Sequence, residues 1–362
     1  MNSSAAAIAS IELRRLELPL VTPYWSMIST LYNFDPIVVE VRTRDGAVGI
    51  GECVIVPGYT HELPETSWAF CAEQASCLIG KSLPEAIEQL RPYNHVYSHA
   101  VSSMTAAFEM AGHHPVLQPV QEERRVPLLA PLHSKDLAKL PNEIESRLAE
   151  GYRVLKVKVG QDARSDLERV ACIQDVVASR AQIRLDANQG FSSDAACQFA
   201  SGLDARDIEL LEQPCAADDW DAALRVKEAS TVPMMLDESI FGEADIERAA
   251  RSNVADYIKL KLVKMSGLDA LTSGLNCIRQ NKMRAVLGNG VATEINNWME
   301  ACISAGTLTS AGEMNGFLKS DVRLFRNPLN FEDGCIVLPP GYVPEIDREA
   351  LERYTVSRER YV

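Results

Sequence analysis

The sequence predicts an α/β protein built on a TIM-type (β/α) barrel, with an α+β module ahead of it. Three observations predict it. Five short segments rich in β-branched and aliphatic residues each end in side chains able to do chemistry: VLKVKVG (154–160), QIRLDANQGF (182–191), IELLEQP (208–214), PMMLDES (233–239) and YIKLKLVK (257–264). The steps from Asp186 to Glu212 to Asp237 to Lys261 are 26, 25 and 24 residues, the length of one strand, one helix and two loops. From 126 to 316 this strand-and-helix texture supplies eight strands with intervening helices, the number that closes a barrel whose working groups lie at the C-terminal strand ends.

Taken in order, residues 8–20 alternate weakly and predict a first strand. IVVEVRTRDGAVGIGECV (37–54) reads as a hairpin about Asp45-Gly46. Between them VTPYWSMISTLYNF (21–34), with Tyr24, Trp25 and Tyr32, reads as an aromatic loop, either a buried plug or the lining of a ligand pocket. VPGYTHELP (56–64) is a second irregular loop. Apolar spacing predicts helices over 67–79, 84–94 and 98–112, and HHPVLQPVQEERR (113–125) ends the module. VPLLAPL (126–132) is then the first barrel strand and 142–150 the first barrel helix. Helices near 163–180, 193–202, 218–229, 243–251 and 266–282 separate the segments quoted above. RAVLGNG (284–290), a helix near 294–305, and LTSAGEMNG (308–316) complete the set. The expected division is a first module over 1–125, a barrel over 126–318, and a tail over 319–362 that packs back on the module.

The chain has 362 residues, 46% hydrophobic and 24% charged, as in a globular enzyme. A net charge of −14, from 36 basic and 50 acidic residues, argues against nucleic acid, whose binding needs a basic face. Nine scattered cysteines without a CxxC pair favour reduced thiols and a cytoplasmic location. The absence of an 18-residue apolar stretch argues against membrane insertion, and MNSSAAAIASIELRR lacks the pattern of an export signal.

Asp186, Glu212 and Asp237 offer three hard oxygen ligands, which suit Mg²⁺; a single such acid would as readily cap a helix, but three at a constant interval favour metal. Lys158 and Lys261 are candidate proton carriers. Strand alternation puts Lys156 with Lys158, and Lys259 with Lys261, on the inward faces of strands two and six. Those strands lie opposite each other in an eight-stranded ring, so the two lysines approach a substrate from two sides.

These motifs, in this order and spacing, together with MSGL after Lys264, resemble the muconate-lactonising-enzyme subgroup of the enolase superfamily over nearly the whole chain. The resemblance implies a modified (β/α)7β barrel, an N-terminal α+β capping domain and a C-terminal return to the cap. It further implies that Asp186, Glu212 and Asp237 bind Mg²⁺, that Lys158 and Lys261 form the acid/base pair, that Lys156 helps hold a substrate carboxylate, and that Asn188 and Glu238 support the site. The implied chemistry is removal of a proton α to a carboxylate, giving an enediolate. The substrate would be a small carboxylate, and homo-oligomers are common in the family. Tyr24, Trp25 and the 56–64 loop fall in the specificity region. None of the six histidines lies beyond His133, which excludes a strand-seven catalytic histidine; Asn289 stands there instead. Glu313 at the end of strand eight would contact substrate or cap a helix, and His133 would face substrate or cap a helix. Met265-Ser266-Gly267 replaces the more common Gly-Gly. Two opposed lysines suit a racemase or epimerase of an amino-acid derivative. A cycloisomerase, a dehydratase or a noncatalytic carboxylate-binding barrel remain as alternatives.

Overall fold

The computed structural model describes residues 7–25, 30–134 and 136–362, and for Trp25 the backbone alone. In the amino-terminal part, β1 (Ile8–Leu16) is followed by β2 (Leu18–Trp25) and β3 (Thr30–Phe34), an antiparallel pair. The stretch expected as an aromatic loop is therefore a hairpin. Its β-branched and aromatic residues prevail over two prolines, because the register slips between Pro19 and Tyr24 and so tolerates their missing N–H groups. The expected hairpin β4 (Ile37–Thr43) and β5 (Val48–Cys53) turns at Gly46, whose φ of 92° suits glycine. Helices α1 (Pro64–Leu78), α2 (Leu83–Leu90) and α3 (Ser98–Ala111) follow. Ser82 and Glu85 cap α2 reciprocally, Glu85 accepting from the Ser82 N–H at 2.9 Å. Helix α3 is rich in Ala and Ser and lies directly on β5. There Gly49 and Gly51 present no Cβ that would strike the carbonyl oxygens of Ala107 and Ser103.

The expected first barrel strand is two elements. β6 (Arg124–Pro127) pairs elsewhere, and only β7 (Ala130–Leu132) enters the barrel. After it come α4 (Leu140–Ala149), β8 (Val154–Lys158), α5 (Ala163–Val177), β9 (Gln182–Asp186), α6 (Ser193–Gly202), β10 (Ile208–Glu212), α7 (Trp220–Ala229), β11 (Met234–Leu236), α8 (Glu243–Ser252), β12 (Tyr257–Leu260), α9 (Leu268–Gln280), β13 (Arg284–Leu287) and α10 (Glu294–Thr307). Strands β7 to β13 form one parallel sheet in chain order. Side chains at the helix starts hold the joints: Asp162, Ser192 and Asp219 each accept a backbone N–H in the first turn of the following helix.

The eighth strand expected over 308–316 is reduced to one bridge, Leu128 with Gly312. Gly312, Asn315 and Gly316 give this segment little strand preference. It still closes the ring, since Leu129 donates its N–H to Gly312 O at 2.9 Å and Glu313 donates its N–H to Leu287 O at 2.9 Å. The fold is a (β/α) barrel of the TIM type behind an α+β cap.

The tail holds more regular structure than its prolines suggest. β14 (Asn330–Glu332) and β15 (Cys335–Leu338) form a sheet with β6, and after α11 (Arg348–Tyr354) the last strand β16 (Thr355–Tyr361) pairs antiparallel with β1. β1 serves two cores. Ile11 and Leu13 pack with α1 to α3, while Leu16 joins the large cluster running through the barrel. Among the described residues no helix is long and apolar enough to cross a membrane, and all nine cysteines are free thiols.

Candidate active site

Strand register lines up the chemistry. Lys158 at the end of β8 pairs with Asp186 at the end of β9, and Asp186 pairs with Glu212 at the end of β10. Asp237 follows β11 and Lys261 follows β12. The three acids thus come from adjacent strands, with one lysine on either flank. Tyr24, Lys158, Asp186, Asp237, Lys261 and Asn289 share a cavity of roughly 690 Å³, part of it open to solvent.

Every acid in the row has an ammonium partner. Lys158 Nζ donates to Asp186 Oδ2 at 2.6 Å and to Asn188 Oδ1, and Asn188 Nδ2 in turn donates to Glu238 Oε1 at 2.8 Å. Lys156 Nζ lies 2.9 Å from Asp186, 3.1 Å from Glu212 and 2.8 Å from Glu313. Lys261 Nζ donates to Asp237 Oδ2 at 2.7 Å. Glu313 caps no helix; its Oε2 accepts from Lys156 and Lys259. Burial alone favours the neutral forms. The lysines outweigh it at Asp186, Asp237 and Glu313, whose pKa values fall below the ordinary range, while the same acids hold Lys156, Lys158 and Lys261 above theirs. Glu238 is the exception. Burial, then Asp237 and Asp186, push it up to about 7.

Four residues in this network carried no role in the sequence reading. Lys264 is fully buried and donates to Asp237 O at 2.7 Å and Oδ1 at 2.8 Å from a 3₁₀ turn after β12. Lys259 bridges Glu212, at 3.1 Å, to Glu313. Tyr59, on the 56–64 loop, accepts from Lys261 Nζ at 2.7 Å and donates to Asp237 Oδ1 at 3.3 Å. Its ring meets His99 edge-on, and Glu62 holds His99 at 2.9 Å. Lys319 donates to Gly290 O and, at 3.2 Å, to Asn315 Oδ1. The lysines at 259 and 264 were legible as part of a charged strand end; a loop tyrosine carries no periodic signal.

Of the expected substrate contacts, Tyr24 and Asn289 line the cavity, the Trp25 side chain lies outside the described residues, and His133 is exposed. The N–H groups of His133 and Ser134 donate to Glu143 on α4. Asn289 is positioned by Glu300 of α10, which accepts from Asn289 N at 3.0 Å and from Leu262 N at 2.8 Å, tying the ends of β12 and β13 together.

Asp186, Glu212 and Asp237 are buried oxygen donors; Glu238 Oε2 accepts no hydrogen bond, and Glu212 Oε2 meets Lys156 Nζ as an ion pair at 3.1 Å. Buried carboxylate oxygens without a donor suit a hard divalent cation. Ammonium groups sit among these acids, Lys156 between Asp186 and Glu212, and Lys261 and Lys264 on Asp237. The tight cluster among the described residues is instead Glu109, His114 and Asp269, at the seam of α3 and α9. There both Glu109 oxygens already accept the N–H groups of Leu268 and Asp269, so that cluster caps α9.

The chain resembles known proteins along almost its full length. Residues 139–350 match the family described as Enolase C-terminal domain-like. It is 26% identical to N-succinyl-L-Arg/Lys racemase of Bacillus cereus, covering 97% of this chain and 99% of that one. The muconate lactonizing enzyme of Pseudomonas fluorescens, solved with muconolactone, superposes with a TM-score of 0.88 at 25% identity over 97% of this chain and 100% of that one. The dipeptide epimerase of Cytophaga hutchinsonii, solved with Mg and a dipeptide, shares the fold with a TM-score of 0.89 at 20% identity over 98% of this chain and 100% of that one. With this match over more than half its length, and with acids and lysines at the ends of successive barrel strands, the chain belongs to the enolase superfamily, in its muconate-lactonising-enzyme subgroup.

Proposed function

We propose that the protein is a Mg²⁺-dependent racemase or epimerase that removes and returns the proton α to a carboxylate, on an amino-acid derivative. One observation carries this reading: Lys158 and Lys261, on strands separated by the three acid-bearing strands, line the same cavity. Asp186, Glu212 and Asp237 would hold Mg²⁺, which when bound supplies a Lewis acid for the substrate carboxylate.

The chain's own residues do the rest. One lysine, deprotonated, takes the α-proton; the other, protonated, donates to the opposite face of the enediolate carbon, and inversion results. The roles exchange for the other enantiomer. Asp186 with Asn188 orients Lys158, and Asp237 with Tyr59 orients Lys261, so each amine is fixed before substrate arrives. Lys156 adds a third fixed positive charge beside the acids, suited to the charge that develops on the substrate carboxylate.

A cycloisomerase would use the same residues with one lysine acting mainly through its charge, and the likeness to the lactonizing enzyme keeps this as the second reading. Incubation with N-acyl amino acids, Mg²⁺ and D₂O separates them. Racemisation exchanges the α-proton of both enantiomers, and chelation with EDTA stops it. Lys158→Ala and Lys261→Ala should each slow racemisation by about 10²–10⁴-fold, each leaving α-exchange of the enantiomer that faces the remaining lysine. Full activity in the double variant, or lactone formation without α-exchange, would overturn the racemase reading.

A further inference from the structure

The cavity has two kinds of lining. The barrel supplies charge, from Lys158, Asp186 and Lys261, whereas the cap supplies Val54, Val56 and Tyr59 together with one imidazole, His99. His99 stands in the first turn of α3 and is only 3% exposed. Glu62, on the same loop as Tyr59, fixes it: Glu62 Oε1 accepts from His99 N at 2.8 Å and from Nδ1 at 2.9 Å. The carboxylate also accepts from Ser67 Oγ, Ser98 Oγ and Ala100 N, and so caps α3. Burial pushes the Glu62 pKa up, but the hydrogen bonds from His99 and Ser67 carry it below the ordinary range. An ionised carboxylate only accepts, so Nδ1 carries the hydrogen that it receives, and the neutral ring then presents a lone pair at Nε2. Among the described residues the ring's hydrogen bonds, to Glu62 and Ser98, are both at Nδ1, and Nε2 has none. Holding Glu62 takes one nitrogen; a second buried nitrogen without a partner is costly unless a molecule in the cavity uses it.

We infer that His99 is a specificity-determining residue whose Nε2 accepts a hydrogen bond from an N–H or O–H in the part of the substrate remote from its carboxylate. The inference rests on the racemase reading, which puts the carboxylate among the acids and lysines of the barrel. The rest of the substrate then meets the cap. That side of the cavity is apolar at Val54, Val56 and Val263, and the Tyr59 hydroxyl is already engaged by Lys261 and Asp237. His99 is thus the side-chain acceptor that this side has to spare. Its position is fixed, with Glu62 on Nδ1 and the Tyr59 ring edge-on at 86°, the centroids 6.1 Å apart. A fixed acceptor in an apolar surround discriminates well, because a substrate lacking the donor leaves Nε2 desolvated and unpaired. The favoured substrates are amino-acid derivatives with an amide, carbamoyl or hydroxyl donor, over purely aliphatic ones.

The test measures kcat/KM for α-proton exchange in D₂O with Mg²⁺ for N-acetylmethionine, N-acetylglutamine and N-carbamoylmethionine. The last two put an NH₂ where the first has a terminal methyl, in the side chain or in the acyl group. At least one of them is expected to be used about tenfold better than N-acetylmethionine, with most of the difference in KM. His99→Asn keeps a donor for Glu62 but does not reach the place of Nε2, so the ratio should fall to within about twofold. His99→Gln, whose amide does reach that place, should restore part of it. A ratio near one in the unmodified protein, a preference that survives in His99→Asn, or an equal loss on all three compounds with the ratio intact overturns the role of His99. Exchange without any preference keeps the racemase and removes only this contact. No exchange from any of the three compounds removes the racemase reading itself, and the inference with it.

Discussion

Lys264 and Tyr59 show how single side chains secure the two ends of the acid row. Lys264 has its charge fully buried against Asp237 and two backbone carbonyls. Replacing it by Met leaves Asp237 with one cation fewer, and removing one partner of a buried pair costs about 3–5 kcal/mol. Urea unfolding of Lys264→Met should show that loss, and the added Asp237→Asn should restore part of it; strictly additive losses would mean the pair is not coupled. Tyr59 acts through Lys261. Its phenol oxygen accepts from the ammonium, so Tyr59→Phe removes a contact that favours the charged form and lowers the Lys261 pKa. The expected result is a kcat reduced by about tenfold, KM little changed, and a basic limb of the pH–rate profile moved toward lower pH. A KM effect alone would assign Tyr59 to substrate binding.

At the level of elements, the close contact of α3 with β5 sets where the cap stands over the barrel. Gly51 faces the Ser103 carbonyl so closely that a methyl cannot enter without moving the helix backbone. Gly51→Ala should therefore cost about 1–3 kcal/mol or more, read as a fall in melting temperature, whereas Gly306→Ala, with open space around it in α10, should be near neutral or stabilising. The sequence showed the elements best where one period governed them. Strand alternation and the steady interval exposed Asp186, Glu212, Asp237 and the lysine pairs, because a residue at the end of a repeated unit must recur at the unit's length. It showed them poorly where the chain leaves a period. β6 and β7 read as one strand since 126–132 is a single apolar run and only the partners of its two ends differ. The segment around Gly312 closes the barrel through a few backbone bonds that no side-chain pattern records. Tyr59 and Lys319 reach the site from a loop and a 3₁₀ turn, where position is set by packing between parts distant in sequence.

Across the whole molecule, buried carboxylates join cap to barrel, and they make stability depend on pH in a direction opposite to the ion-paired acids. Glu52 on β5 accepts from the N–H groups of Thr293 at 2.8 Å and Asn296 at 3.3 Å at the start of α10, while its Oε2 has no partner. Burial raises its pKa from 4.5 to about 7, only partly offset by those donors. Between those values the folded chain holds a proton that the unfolded chain has released, so stability falls as pH rises through that window, by on the order of 3 kcal/mol for this group. Glu300 behaves alike, with burial raising it to about 7. Glu52→Gln removes one titration. Relative to the unmodified protein it should be less stable, or equal, near pH 5 and should gain ground above pH 7, measured by urea unfolding at both values. Parallel pH profiles would show that Glu52 is charged throughout or is not buried. The two acids also feel each other, since Glu52 contributes to the raised pKa of Glu300. Removing either charge should lower the pKa of the other, so the double Gln variant should flatten the profile by less than the sum of the single effects, and a full sum would place the cap–barrel joint and the β12–β13 joint in separate electrostatic environments.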